Sequence, residues 1–353
     1  MRKWVCGIAA VLLMAALAVP GRAAVTGLEG KKLSILGDSI STYAAVSNNA
    51  GANITLGAGS VFYDTGSYGI HQEDTWWQQA VDELGLRLLV NNSWSGSCMF
   101  RDGAGTLGAY VSRCVQLHNS AGELPDIIAI FLGTNDQDYF PDTIGAVADI
   151  NFDHLIQETE EGVTYEVPST TMEAYAITLD KIARRYPQAE VYCFNLLQRP
   201  FENPESLLAF NKELRRLTKH FDVNLVDLFD CGIHSPIDAF GTMMVDSVHP
   251  GPLGMDAITG AFVSAILRSS RYVAEEARVC DITYGLKNVM LARGERRVVL
   301  AGSAFRDELI FLGDSEPKDI RVLMAGRDIT RFCYTDGVIS IGYVTGDIRI
   351  IAR

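Results

Sequence analysis

The sequence predicts an α/β fold, a doubly wound parallel sheet with helices on both faces, followed by a small all-β module. Three observations carry that prediction. First, "KLSIL" (32–36), "LRLLV" (86–90), "DIIAIFL" (126–132), "EVYCFNL" (190–196) and "VNLVDL" (223–228) are continuous apolar runs without two-residue alternation. Strands of that texture are buried on both faces, as in a parallel sheet. Second, helical patterns separate them, at about 75–85, 106–118, 171–186, 204–220 and 253–269. This βαβ alternation implies right-handed crossovers that cover both faces of one sheet. Third, the texture changes after about residue 275: "RRVVLAG", "DIRVLMAG" and "VISIGYVTGDIRIIA" alternate apolar with polar residues, punctuated by Asp-Gly and Gly-Asp. Such alternation reads as a small antiparallel β module.

The chain thus divides into a leader (1–23), an α/β unit (24–275) and the β module (276–353). In the leader, Arg2 and Lys3 precede the apolar run "VCGIAAVLLMAALAV", and small residues close it at Gly21 and Ala23. This is the pattern of a secretory signal peptide cut after Ala23, and the run is short for a bilayer span, which needs about 20 residues. The expectation is therefore an exported protein, periplasmic or at the cell surface, with no membrane span after cleavage. Removing Arg2, Lys3 and Arg22 takes the 30 basic residues to 27 against 43 acidic, a formal charge of −16. A chain this acidic repels nucleic acid and anionic membranes. The partner expected is a neutral or basic small molecule or glycan. Six cysteines remain, widely spaced and without a Cys-x-x-Cys pair. In a chain with 48 % apolar residues they read mostly as buried small hydrophobes. No His-Glu-x-x-His, calcium loop or phosphate-binding glycine loop is present, so no metal and no cofactor is expected.

Ligands of open parallel sheets bind beyond the carboxyl ends of the strands, and the distinctive residues follow strand ends. "ILGDSIST" (35–42) places Ser39 after the first strand. A serine nucleophile needs a base, a group that orients the base, and donors for the oxyanion. Of six histidines only His249 has an aspartate three residues before it, Asp246, in "VDSVHPGPLGM". A carboxylate there reaches the imidazole Nδ1 and leaves Nε2 free to face a serine. "NNSWSGS" (91–97) supplies Gly96, whose N–H approaches a ligand with no Cβ in the way. "GTND" (133–136) supplies the Asn135 side-chain amide. The tripeptide Gly-Asp-Ser recurs at 313–315, but Pro317 marks a turn and no histidine follows, so Ser315 is set aside. Asp38 is assigned a structural role.

The four blocks GDS, NNSWSGS, GTND and DxxH, in that order, resemble the SGNH/GDSL hydrolases, over about residues 32–270. The resemblance implies a three-layer α/β/α fold and ester hydrolysis with Ser39 as nucleophile, His249 as base and Asp246 as its orienter. It also implies an oxyanion hole made of the Ser39 and Gly96 N–H groups and the Asn135 amide. One departure stands out: the family's second block begins Asn-x-Gly, whereas here Asn91 is followed by Asn92 and Ser93. The Gly-x-Ser-x-Gly elbow of α/β-hydrolases is absent. The β module resembles C-terminal β-sandwich appendages of bacterial secreted proteins. Among the aromatics, Tyr43 and Trp94 flank catalytic blocks and are expected at the substrate, whereas Trp76 and Trp77 open a helix and are expected in the core. The function expected is an exported serine esterase that removes acetyl or other short acyl groups from carbohydrate. A lipid or lysophospholipid acylhydrolase and a non-catalytic glycan-binding surface protein are the alternatives.

Overall fold

The structure, a computed structural model, describes residues 27–44, 46, 61–64, 67–101, 108–199, 204–233, 243–312, 317 and 319–353. The leader and Ser315 lie outside these. The five apolar runs form one parallel sheet from β1 (Lys32–Gly37), β2 (Arg87–Ser93), β3 (Ile127–Phe131), β4 (Glu190–Phe194) and β5 (Asn224–Val226), in the order β2-β1-β3-β4-β5. The order reverses at β1, so the carboxyl ends of β1, β2 and β3 open on one switch-point crevice.

Each strand divides its side chains between two helical layers, because successive residues point to opposite faces. Leu33, Ile35, Ile127, Ala129 and Phe131 pack with α1 (Trp76–Leu84) and α5 (Pro252–Ser269). Leu36, Ile128, Ile130 and Leu132 pack on the other side with α3 (Thr171–Arg185) and α4 (Pro204–His220). The three-layer fold is therefore the one expected. Local chemistry sets the helix ends. Thr170 and Glu173 form a reciprocal capping box at the start of α3, Gly85 closes α1 in the left-handed region, and Pro252 stands in the first turn of α5.

One helix departs from expectation. No long helix forms at 106–118: among the described residues 108–118 there is a single 3-10 turn, Arg113–Val115. Gly108, Ala109 and Tyr110 instead donate their N–H groups to Phe100, Cys98 and Met99. The Asn92 amide takes the Arg113 and Gln116 carbonyls, at 3.3 and 3.4 Å. Backbone groups that would have closed helical turns are thus used in tertiary contacts. Residues 136–170, between β3 and α3, have structure of their own, including a hairpin of Ile156–Thr159 with Gly162–Tyr165.

The C-terminal strands form two further sheets around a separate apolar cluster. Their pairings are antiparallel except one: Val279–Leu286 runs parallel to Ile348–Ala352, the first and last strands of the module. Met290 and Val298 of this region pack into the core beside α1 and α5. Arg296 also makes a bidentate ion pair with Glu83 of α1, at 2.5 and 2.6 Å. All six cysteines outside the leader are buried.

Gly133 tests the crowding at the end of β3. Its φ is +123°, and a Cβ there would lie 2.1 Å from Phe210 Cζ on α4. Gly133→Ala combines backbone strain with overpacking and is expected to lower stability by about 2–4 kcal/mol, read as a fall in the urea midpoint at unchanged m-value.

Candidate active site

The Ser39 turn is held from several directions. β1 ends at Gly37, and Asp38 caps the 3-10 turn Ser39–Ser41 by accepting the Ile40 N–H at 3.0 Å. Trp76 donates its indole N–H to Ser41 Oγ at 3.2 Å, and Trp77 donates its own to the Ser41 carbonyl at 3.1 Å. Both tryptophans are core residues, as expected, and they also anchor this turn. The sequence signal for that role was present only as two adjacent indoles at a helix start.

β2 runs further than expected, to Ser93, so Asn91, Asn92 and Ser93 pair with Ile35, Leu36 and Gly37 as its last rungs. The departure from Asn-x-Gly has a local account. Ser93 Oγ lies where a Cβ on Gly37 would come within 2.6 Å of it, so the absent side chain at 37 makes room for the serine. Asn91 donates to the Ser41 carbonyl at 2.9 Å. A residue that sequence reasoning missed, Arg113, is buried behind this block. It donates to the Gly37 and Asn92 carbonyls at 2.8 and 2.7 Å, and its guanidinium lies 4.4 Å over the Trp94 ring. Burial lowers its pKa to about 9. Trp94 is half-buried against that guanidinium, and Tyr43 is packed in the core at 6 % exposure.

His249 follows a tight loop before α5. Asp246 Oδ1 accepts the N–H groups of Val248 and His249 at 2.7 and 2.6 Å, and His249 Nδ1 lies 2.8 Å from Asp246 Oδ2. His249 Nε2 then lies 2.8 Å from Ser39 Oγ. Residues 210 positions apart in sequence meet at one rim. Burial pulls the His249 pKa below the ordinary imidazole value, against the raising effect of Asp246. The Asp246 carboxyl is itself below its usual range: burial pushes it up, but the two backbone N–H groups and the imidazole outweigh this.

Asn135 sits in the first turn of α2 (Thr134–Tyr139) and donates one amide hydrogen to the Ser97 carbonyl at 2.8 Å, leaving the second. Gly96 has φ +76°, and nothing lies within 4 Å of where its Cβ would be. Among the described residues, neither the Ser39 nor the Gly96 N–H has a hydrogen-bond acceptor. Asp136, buried beside Asn135, accepts the Met99 and Phe100 N–H groups at 2.7 and 2.9 Å and so fixes the segment after Gly96.

Phe62 was not anticipated as part of the site. The Phe62 ring stacks on His249, centroids 3.4 Å apart and planes 8° apart, and the exposed ring of Tyr68 stacks on Phe62 at 5.0 Å and 2°. Sequence offered no signal for Phe62 beyond its place in an aromatic loop. Among the described residues no cluster of three potential metal ligands occurs, and no helix is long and apolar enough to cross a membrane.

A three-layer α/β/α protein with a hydroxyl, an imidazole and a carboxylate hydrogen-bonded in series at the sheet's carboxyl edge falls within the hydrolases. Residues 31–259 match the profile of the GDSL-like lipase/acylhydrolase family, and the chain belongs to that family of ester hydrolases. Among solved structures, a GDSL-like lipase of Bacteroides ovatus is similar, with 25 % identity over 68 % of this chain and 100 % of that one, at TM-score 0.47. A GDSL-like lipase of Bacteroides uniformis has 23 % identity over 68 % and 97 % of the two chains, at TM-score 0.46. A family two carbohydrate esterase from Clostridium thermocellum has 13 % identity over 69 % of this chain and 65 % of that one, at TM-score 0.44. No curated protein matches the chain.

The buried carboxyl next to Ser39 gives a pH prediction. Burial first, against the Ile40 N–H and the charge of Arg199, raises the Asp38 pKa to about 7. Its folded value lies above its unfolded value of about 4. The stability carried by the protonated form is therefore complete below about pH 4 and lost as pH rises through about 7. Asp38→Asn should flatten that decline, so the variant's melting temperature should gain on the parent's between pH 5 and pH 8.

Proposed function

We propose that the protein is an exported serine esterase that works through an acyl-enzyme on Ser39 and removes acetyl or other short acyl groups from carbohydrate. The observation that carries this reading is the unbroken series Asp246–His249–Ser39, with contacts of 2.8 and 2.8 Å. His249 Nε2 accepts the Ser39 hydroxyl proton as Oγ attacks the ester carbonyl carbon. Asp246 fixes the Nδ1–H tautomer and stabilises the imidazolium that forms. The developing oxyanion is received by the Ser39 and Gly96 N–H groups and the free hydrogen of the Asn135 amide. Collapse of the tetrahedral intermediate expels the alcohol, which takes the proton from His249. Water, deprotonated by the same imidazole, then attacks the acyl-enzyme, releasing the carboxylic acid and restoring Ser39.

Export rests on the leader at 1–23. The carbohydrate assignment rests on that leader and on the −16 charge of the processed chain, which disfavours anionic lipid surfaces.

Ser39→Ala should cut turnover of p-nitrophenyl acetate by about 10⁴–10⁶-fold, and Asn135→Ala should cost about 10²–10³-fold. A Ser39→Ala enzyme with parental turnover would sink the acyl-enzyme reading. Because the base must be neutral and its pKa is depressed, kcat/KM should fall on the acid side through a value below 6.5. Acetate release from acetylated glycans, compared with hydrolysis of long-chain p-nitrophenyl esters, tests the substrate class: preference for the long chains would favour a lipid acylhydrolase.

A further inference from the structure

The segment around Phe62 is tied to both halves of the catalytic rim. Phe62 donates its N–H to Thr42 Oγ1 at 2.8 Å, and Thr42 Oγ1 in turn donates to the Ser39 carbonyl at 2.7 Å. Ala44 donates to the Tyr63 carbonyl at 2.9 Å. Tyr63 donates its hydroxyl to the Pro250 carbonyl, one residue beyond His249, at 2.8 Å. Two residues thus join the loop of the nucleophile to the loop of the base.

From this brace the Phe62 ring covers one face of the His249 imidazole, 3.4 Å between centroids and 8° between planes. Tyr63 meets the same imidazole edge-on at 6.2 Å. The opposite side of Phe62 is held by Tyr68, whose φ of +60° is a left-handed value that a bulky residue rarely adopts. Such outliers persist where the surroundings over-determine them, and they concentrate at functional sites. Asp246 constrains Nδ1 and Ser39 meets Nε2, but contacts at the two ring nitrogens leave the ring free to rock about the axis that joins them. A flat ring stacked on the imidazole removes that freedom.

Building on the reading of Ser39 and His249 given above, we propose that Phe62, backed by Tyr68, is a positioning residue that holds the His249 ring in the plane of proton transfer and keeps water from one of its faces. The charged and titratable groups around His249 are Asp246 on its own loop, Tyr63 on the aromatic segment, and Arg199 and Asp138, which act through their charge. None of these changes in a Phe62 variant. The burial that lowers the His249 pKa is partly the cover Phe62 supplies.

Four proteins decide the matter, assayed on p-nitrophenyl acetate across pH: the parent, Phe62→Ala, Phe62→Leu and Phe62→Tyr. Phe62→Leu keeps apolar cover but loses the flat face; Phe62→Tyr keeps both. Phe62→Ala and Phe62→Leu are expected to lose about 10–100-fold in kcat with KM nearly unchanged, and Phe62→Tyr to recover the parental kcat. The acid limb of kcat/KM should move to higher pH in Phe62→Ala, by up to about one unit, and stay in place in Phe62→Leu. Parental kcat in Phe62→Leu, a loss confined to KM, or failure of Phe62→Tyr to recover would overturn the proposal. Should Phe62→Ala not fold, the Leu and Tyr variants carry the test. Ser39→Ala serves as the control: if it is inactive while the Phe62 variants behave as the parent, only the role of Phe62 falls. If Ser39→Ala is active, it is the triad that fails.

Discussion

The carbonyl oxygen of Gly37, at the end of the first strand, is the point on which the site depends. It accepts the Trp94 N–H at 3.1 Å, the Arg113 guanidinium at 2.8 Å and the Ser97 hydroxyl at 3.3 Å. Two of these donors, Trp94 and Ser97, come from the segment that also carries Gly96, and the third, Arg113, comes from the 3-10 turn at 113–115. One buried acceptor therefore ties the Ser39 turn to the loop that bears Gly96. Hydrogen bonds to a charged donor are the stronger ones, and losing a buried partner leaves the full desolvation penalty behind. The geometry around Ser39 is in this way a property of strand-end hydrogen bonding rather than of the serine itself.

Behind that point the protein keeps polar groups where a core would ordinarily be apolar. Asp38, Asp136, Arg113 and Arg199 are all buried. Each is held by specific partners: Asp136 by two backbone N–H groups, Arg199 by Asp138 and Gln137. Burial of charge is costly unless it is paired or hydrogen-bonded. Their concentration around Ser39, with shifted pKa values on Asp38, Asp136 and Arg113, is the arrangement expected at a functional site. The apolar cores on the two faces of the sheet supply the rigidity that holds these groups in place, and the C-terminal sheets brace α1 through Arg296 and Glu83.

The two faces of the site differ in how they are fixed. The side that carries Ser39 and Asn135 stands on regular elements, β1, β2 and the first turn of α2. The His249 side stands on a short loop whose conformation is set by Asp246, which holds both the backbone and the ring of His249. Loops are the softer supports. The aromatic pair Phe62 and Tyr68 lies against that softer side, where an added constraint matters most.

The sequence by itself determined the sheet and marked the blocks that carry the candidate site. Continuous apolar runs have no other stable use than strands covered on both faces, and Ser39, Gly96, Asn135, Asp246 and His249 each follow a strand or precede a helix in a recognisable block. Tertiary structure decided what local pattern cannot encode. Residues 108–118 have helical periodicity, yet Asn92 and the 98–100 segment take the backbone groups a helix needs. Trp76 and Trp77 read as core and are core, yet their indole N–H groups hold the Ser39–Ser41 turn. Tyr43 flanks the serine in sequence but turns into the core, while Phe62 and Arg113, with no motif to mark them, lie against the imidazole and behind Gly37. Period and motif are short-range properties of a chain. Which donor meets which acceptor across 76 positions, as Arg113 meets Gly37, is fixed only when the sheet brings distant strand ends to one edge.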